Sequence, residues 1–203
     1  MNKPITFLLS LIFLFLFSNV VYGEELEVVR EYWKKYILWG KGNLRKETHY
    51  KNGKKEGLTR YWYKSGKKKG ERHFKKGKRE GPLIWFYESG KKMGEENYKD
   101  GKKNGLMIWW YENGTKKFEE RYQLGKKYGL FTTWHESGKK SSEISYNKNE
   151  KYEGPNTYWY QSGKKKYLRN LKNGKNHGIS KKWDEDGKIT YEENFVNDVK
   201  EIK

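Results

Sequence analysis

The sequence predicts an all-β protein: an elongated antiparallel β-hairpin meander built from about six 24-residue repeats, with an N-terminal signal peptide. Three observations predict it. The first is a phrase clearest from Tyr98 to Arg121, with units beginning at Tyr50, Phe74, Tyr98, Tyr122, Tyr146 and Leu171 and a shortened seventh at Phe195. One such unit cannot bury its apolar surface without a neighbour, so the period marks a stacked array. The second is punctuation by polar-then-glycine pairs: Ser65-Gly66, Ser89-Gly90, Asn113-Gly114, Ser137-Gly138, Ser162-Gly163 and Asp186-Gly187 in one set, with Asn52-Gly53, Asp100-Gly101 and Asn173-Gly174 in the other. Glycine accepts positive φ without a steric penalty, so these pairs suit two-residue hairpin turns, and each unit reads as two short strands. The third is a leader: Lys3, an apolar run from Ile5 to Phe17, and Val21-Tyr22-Gly23 before Glu24-Glu25. That composition is a secretory signal peptide; the alternative is a retained anchor, because Ile5 to Tyr22 nearly reaches the ~20 residues a span needs.

In chain order, residues 1–23 form the leader, 24–49 an N-terminal cap or degenerate half-repeat, and 50–203 the array with a degenerate C-terminal cap. Leu26, Val29, Trp33 and Tyr36 lie at helix-like spacing, which allows a short amphipathic helix. Leu38-Trp39 and Gly42 stand 24 residues before Trp62-Tyr63 and Gly66, which favours the half-repeat, since terminal units are commonly atypical. The array advances by 24 except for one extra residue in the stretch from Asn149 to Gly154. Confined to a turn, such an insertion leaves the strands' faces intact; within a strand it would flip them.

Alternation assigns faces. Leu58, Trp62, Leu106, Trp110, Leu130, Trp134, Ile179 and Trp183 are expected on the buried side, with Phe74, Tyr98 and Tyr122 as partners from each second strand. Gly57, Gly81, Gly105 and Gly129 are expected to leave room for a neighbouring ring. Tyr61, Tyr63, Trp85, Tyr87, Trp109, Tyr111, Tyr158 and Tyr160 then form an opposite aromatic face. It has two readings: rings shielding a thin sheet, or a ligand face for stacking sugars, bases or apolar side chains.

Composition narrows the chemistry. With 17% aromatic residues the chain lacks the aromatic depletion of disordered sequences, so burial rests on rings. The absence of cysteine excludes a disulfide framework, a cysteine-ligated metal and a cysteine-linked lipid anchor. His49 and His73 sit one unit apart, while His135 and His177 are at unrelated positions, so no metal site is expected. Glu95-Glu96, Glu119-Glu120 and Glu192-Glu193 recur beside lysines and read as cross-strand ion pairs. No nucleophile elbow, Walker loop or dinucleotide fingerprint interrupts the array; no catalytic residue and no cofactor is expected, and the protein reads as a non-enzyme. Net charge is +19, with lysines recurring at both edges: Lys54, Lys78, Lys102, Lys126 and Lys175 at one, and Lys67, Lys91, Lys139, Lys164 and Lys188, the candidate basic edge, at the other. Edge lysines keep sheets from pairing; this much charge also attracts anionic surfaces.

The unit YxxGKxxGxxxxWxxxGxKxxxxxY resembles the bacterial variant of the MORN repeat, the antitoxin-like (YwqK-type) repeat family, over about Tyr50 to Phe195. Ile189 in place of the second lysine and Asp198 in place of the first glycine depart from the pattern. The resemblance implies an elongated hairpin meander used as a binding or scaffold module, sometimes near toxin systems and in other settings linked to membrane lipids. The expected function is an exported, non-enzymatic module for a partner protein or an anionic polymer or lipid surface; the alternative is an immunity or antitoxin-like protein that neutralises a toxin by direct binding. Export to the periplasm, cell surface or medium argues against nucleic acid as the partner.

Overall fold

The computed structural model describes residues 26–33 and 42–201; the leader and Leu38-Trp39 lie outside them. The first hairpin is β1 (Leu26–Tyr32) with β2 (Leu44–Lys51). Then come β3 (Lys54–Trp62) and β4 (Lys68–Lys75), and β5 (Lys78–Phe86) and β6 (Lys92–Lys99). The next two units each have a divided first strand: β7 (Lys102–Lys103) and β8 (Gly105–Trp110) before β9 (Lys116–Gln123), and β10 (Lys126–Lys127) and β11 (Gly129–Trp134) before β12 (Lys140–Tyr146). β13 (Gly154–Trp159), β14 (Lys165–Lys172), β15 (Lys175–Trp183), β16 (Ile189–Val196) and β17 (Val199–Lys200) complete one open antiparallel sheet of seventeen strands. Strands pair in chain order, the topology expected when every connection is a hairpin.

The helical option for the N-terminal stretch is overturned. Leu26–Tyr32 is a strand, and Val28 opposes His49 as Leu58 opposes His73 one unit later, so β1 and β2 repeat the array's own register.

The two edges of the sheet turn differently. At one, both central residues are left-handed, as at Asn52 and Gly53 (φ 50° and 70°) or Asp100 and Gly101 (50° and 82°), which is the type I′ turn that the right-handed twist of strands favours. At the other the connection is longer by one residue than expected. Tyr63 N donates to Lys67 O (2.8 Å), Gly66 N donates to Tyr63 O (3.0 Å), and only Gly66 is left-handed (φ 87°). This is a type I turn closed by a glycine bulge, and the register duly slips between Tyr61 and Trp62.

The extra residue before Gly154 has a similar effect on the first edge. Asn147 N donates to Lys151 O (2.9 Å) and Glu150 N to Asn147 O (3.0 Å), with Glu150 left-handed (φ 60°). The insertion has converted a two-residue turn into a three-residue one, and the strands on either side keep their faces.

The face assignment is corrected. The buried residues include Thr59, Leu83, Met107, Asn156 and Ser180 with Phe74, Tyr98, Tyr122 and Leu171, whereas Leu130 is 44% and Ile179 41% exposed. The reason is register: Phe74 opposes Gly57 and not Leu58, and Tyr98 opposes Gly81, so the aromatic stack shares a face with the glycines and with the residue two beyond each. The expected role of those glycines is corrected too. A Cβ at Gly57, Gly81 or Gly129 would meet nothing within 4 Å. They are left-handed (φ 73°, 74° and 71°) because the first strand bulges against the preceding unit, as between Thr48 and Tyr50 or Arg72 and Phe74.

Candidate functional site

The eight aromatic residues expected to form a ligand face divide into two groups. Tyr61, Trp85, Trp109 and Tyr158 lie on the core face, half-buried, not opposite it. Across four seams the directly opposed residues on this face exchange volume: Gly70 with Trp85, Gly94 with Trp109, Phe118 with Thr133, and Ser142 with Tyr158. The indoles lie on bare backbone. A Cβ at Gly70 would stand 2.2 Å from Cε3 of Trp85, and one at Gly94 2.6 Å from Cδ2 of Trp109. These glycines, not the four bulge glycines, are where a ring needs the missing side chain.

Tyr63, Tyr87, Tyr111 and Tyr160 sit at the type I edge and clasp the next unit. Their hydroxyls donate to the carbonyls of Phe86 (2.8 Å), Trp110 (2.7 Å), Trp134 (3.0 Å) and Trp183 (2.8 Å). His135 takes the same place, its Nε2 3.2 Å from the carbonyl of Trp159. Burial raises the Tyr63 and Tyr87 hydroxyls above the ordinary phenol range, with smaller contributions led by Glu88 and Glu112 respectively. Neutral phenols are therefore the form the fold holds.

The candidate basic edge lies beside these clasps, and three of its lysines are engaged there. Lys91 donates to Glu112 O (2.9 Å), Lys139 to Ser162 O (2.7 Å) and Lys164 to Asp186 O (3.3 Å), each in the following turn. The backbone groups of Lys67 and Lys188 close their own turns. On the outer face, Lys92 and Lys116 each pair with the glutamate three residues on, Glu95 (2.9 Å) and Glu119 (2.8 Å), and lie over the next unit's Trp110 (5.6 Å) and Trp134 (5.5 Å). The other member of each glutamate pair faces the core: Glu96 and Glu120 accept from Tyr98 and Tyr122 and meet Lys103 (3.5 Å) and Lys127 (2.6 Å). Burial and then these carboxylates push both phenols up.

The type I′ edge is held otherwise. Gly77, Gly101, Gly125 and Gly174 donate back to the preceding unit, as Gly101 N to Arg79 O (2.9 Å), and in four units a polar side chain before the bulge glycine accepts from the next turn. Glu56 takes Lys76 N, Glu80 takes Asp100 N, Asn104 takes Leu124 N and Glu153 takes Asn173 N. Tyr128 stands where these caps stand but has no carboxylate or amide oxygen to offer. The following turn is the lengthened one, and it satisfies itself: Asn147 Oδ1 accepts from Asn149 N (3.0 Å) and Lys151 N (3.2 Å).

Along this edge Lys54, Lys78, Lys102, Lys126, Lys151 and Lys175 occupy one equivalent position, all exposed. Lys151 escapes a strict count of 24 because the insertion displaces it. Among the described residues only Lys78 of this row has an ion pair, with Asp100 at 3.9 Å. Beside the lost cap is a cleft of about 490 Å³ lined by Lys102, Lys126, Lys148, Leu124, Tyr128 and Tyr146, among others. Sequence reasoning missed it. The signals were Leu124 where other turns have Asn, Asp or Lys, and Tyr128 where four other units have Glu or Asn and one has His177.

Among the described residues no cluster of three or more His, Asp or Glu side chains is placed to hold a metal ion, and no helix is long and apolar enough to cross a membrane. A one-layer ribbon of stacked hairpins with charged margins defines a repeat scaffold, and the chain belongs to the MORN repeat variant family. The family's model matches residues 55–76, 79–100, 103–124, 127–148 and 176–197, five segments covering 110 of 203 residues. The unmatched unit between them follows the lengthened turn. A comparison with curated proteins returned no match. MORN repeats are generally protein- or membrane-binding modules, and the family is non-enzymatic.

Proposed function

We propose that the protein is an exported bacterial binding or scaffold module that holds a partner protein or an anionic envelope component by its lysine-bearing edges. The observation that carries the reading is the type I′ row: exposed lysines at a fixed interval on a rigid sheet, five of the six without an ion pair among the described residues. The leader read in residues 1–23 supports export, and a net charge of +19 supports an acidic counterpart. The aromatic residues support it less directly, because their hydroxyls and ring faces hold neighbouring units together.

The test is capture from the native envelope with the full chain as bait. Material held at about 0.1 M salt is expected to be released towards about 1 M, where the screening length falls from ~10 to ~3 Å. Retention unchanged across that range removes the electrostatic part of the reading. Fractionation with determination of the N-terminal residue tests export; an unprocessed chain in the cytosol would overturn it.

A further inference from the structure

We propose that the type I′ edge from the third to the fifth unit docks an acidic peptide segment of a protein partner, with carboxylates three residues apart and apolar side chains between them. This deepens the binding-module reading and rests on it.

The charge is placed and unopposed. Lys102, Lys126 and Lys151 hold the equivalent position of successive units, and among the described residues none has an ion pair. Two of their stems start beside the next turn: the Cβ of Lys102 and of Lys151 lie 3.7 and 3.9 Å from where a Cβ on Gly125 and on Gly174 would stand. No carboxylate lines the cleft, to which Lys148 adds a further ammonium. The acids nearby are occupied, Glu150 by the amide of Lys127 (3.2 Å) and Glu153 by that of Asn173 (2.9 Å).

The cleft also offers apolar surface of an unusual kind. Leu124 is 55% exposed at a left-handed φ of 48°, a conformation that disfavours a branched apolar side chain, and Tyr128 is 39% exposed. Together they give a side-chain anchor beside the lysine row.

Peptide carboxylates fit better than phosphate. A phosphate site draws on arginine forks or free backbone amides. Here no arginine lines the cleft, and the turn amides are taken: Leu124 N by Asn104 (3.2 Å) and Gly125 N by Lys103 O (2.7 Å). The spacing sets the register of the occupant. Two strands of ~4.8 Å separate equivalent lysines by ~9.6 Å. A peptide in the polyproline II conformation has about three residues per turn and rises ~3.1 Å per residue, so carboxylates three residues apart lie on one side, ~9.3 Å from one another, and meet successive lysines.

The test is fluorescence anisotropy on the full chain with two labelled heptapeptides of one composition: Glu-Leu-Ser-Glu-Leu-Ser-Glu, and the same residues with the three glutamates contiguous. The spaced peptide is expected to bind about fivefold tighter, K102Q/K126Q/K151Q to weaken it about tenfold and erase the difference, and the equally charged K91Q/K139Q/K164Q to leave it within about twofold. Equal affinity for the two peptides, equal loss in the two triple variants, or tripolyphosphate bound at this edge more tightly than the spaced peptide overturns the site. A native partner held equally by wild type and K102Q/K126Q/K151Q overturns the site and leaves the module reading standing. No native partner at all overturns both.

Discussion

The two edges of the ribbon carry similar numbers of lysines and use them for different ends. At the type I edge Lys91, Lys139 and Lys164 reach across to the carbonyls of the next turn, and four phenols bond carbonyls at the end of the next unit's first strand. At the type I′ edge the seam is held by backbone amides and by Glu56, Glu80, Asn104 and Glu153, so among the described residues every lysine of that row but Lys78 is left without an ion pair. Turn length explains the division. A two-residue turn presents its amides to the preceding unit, while a three-residue turn bonds within itself and presents carbonyls, which only side-chain donors can satisfy.

If the type I edge is structural, removing its donors should produce the largest loss of stability. Tyr63→Phe, Tyr87→Phe and Tyr111→Phe together are expected to cost about 3 kcal/mol, roughly 1 per clasp, read from the urea midpoint. Alkali should loosen the same edge without mutation. Burial holds the Tyr63 and Tyr87 hydroxyls above the ordinary phenol value near 10, so the stability their neutral form contributes is complete below about 10 and lost as pH rises through the raised folded-state values. Thermal melts should therefore hold steady to about pH 9 and fall above pH 10, less steeply in the triple phenylalanine variant. On the other edge, Asn147→Ala exposes two turn amides and should cost about 1 kcal/mol in the same urea measurement. Leu124→Asn supplies the residue found at Asn52 and Asn173 and should stabilise by roughly 0.5–1 kcal/mol while weakening the spaced acidic peptide. Lys102→Gln, Lys126→Gln and Lys151→Gln together should change stability by less than about 0.5 kcal/mol each way. A larger loss would mean that this edge, too, is part of the frame.

The hairpin array was legible because glycine and the period are strong signals. The type I′ turns follow from Asn52-Gly53 and Asp100-Gly101, and the partnership of Phe74, Tyr98 and Tyr122 with the buried side follows from their recurrence. Which residues of the first strand join them was not legible. A bulge at Gly57 and a second after Tyr61 interrupt the alternation, so counting by twos from Leu58 leads to the wrong side. The clasps were hidden for a related reason: a tyrosine that binds a carbonyl 23 residues ahead looks in sequence like one displayed to a ligand. Tyr128 was legible only as a departure from Glu56, Glu80 and Glu153, and the purpose of that position becomes visible only when Lys76 N and Asp100 N are seen to need an acceptor.

Because every unit touches only its immediate neighbours, tension applied along the long axis would meet the joints in series. Each would yield at its own load. Pulled from its two ends, such a molecule would lengthen in steps of one hairpin.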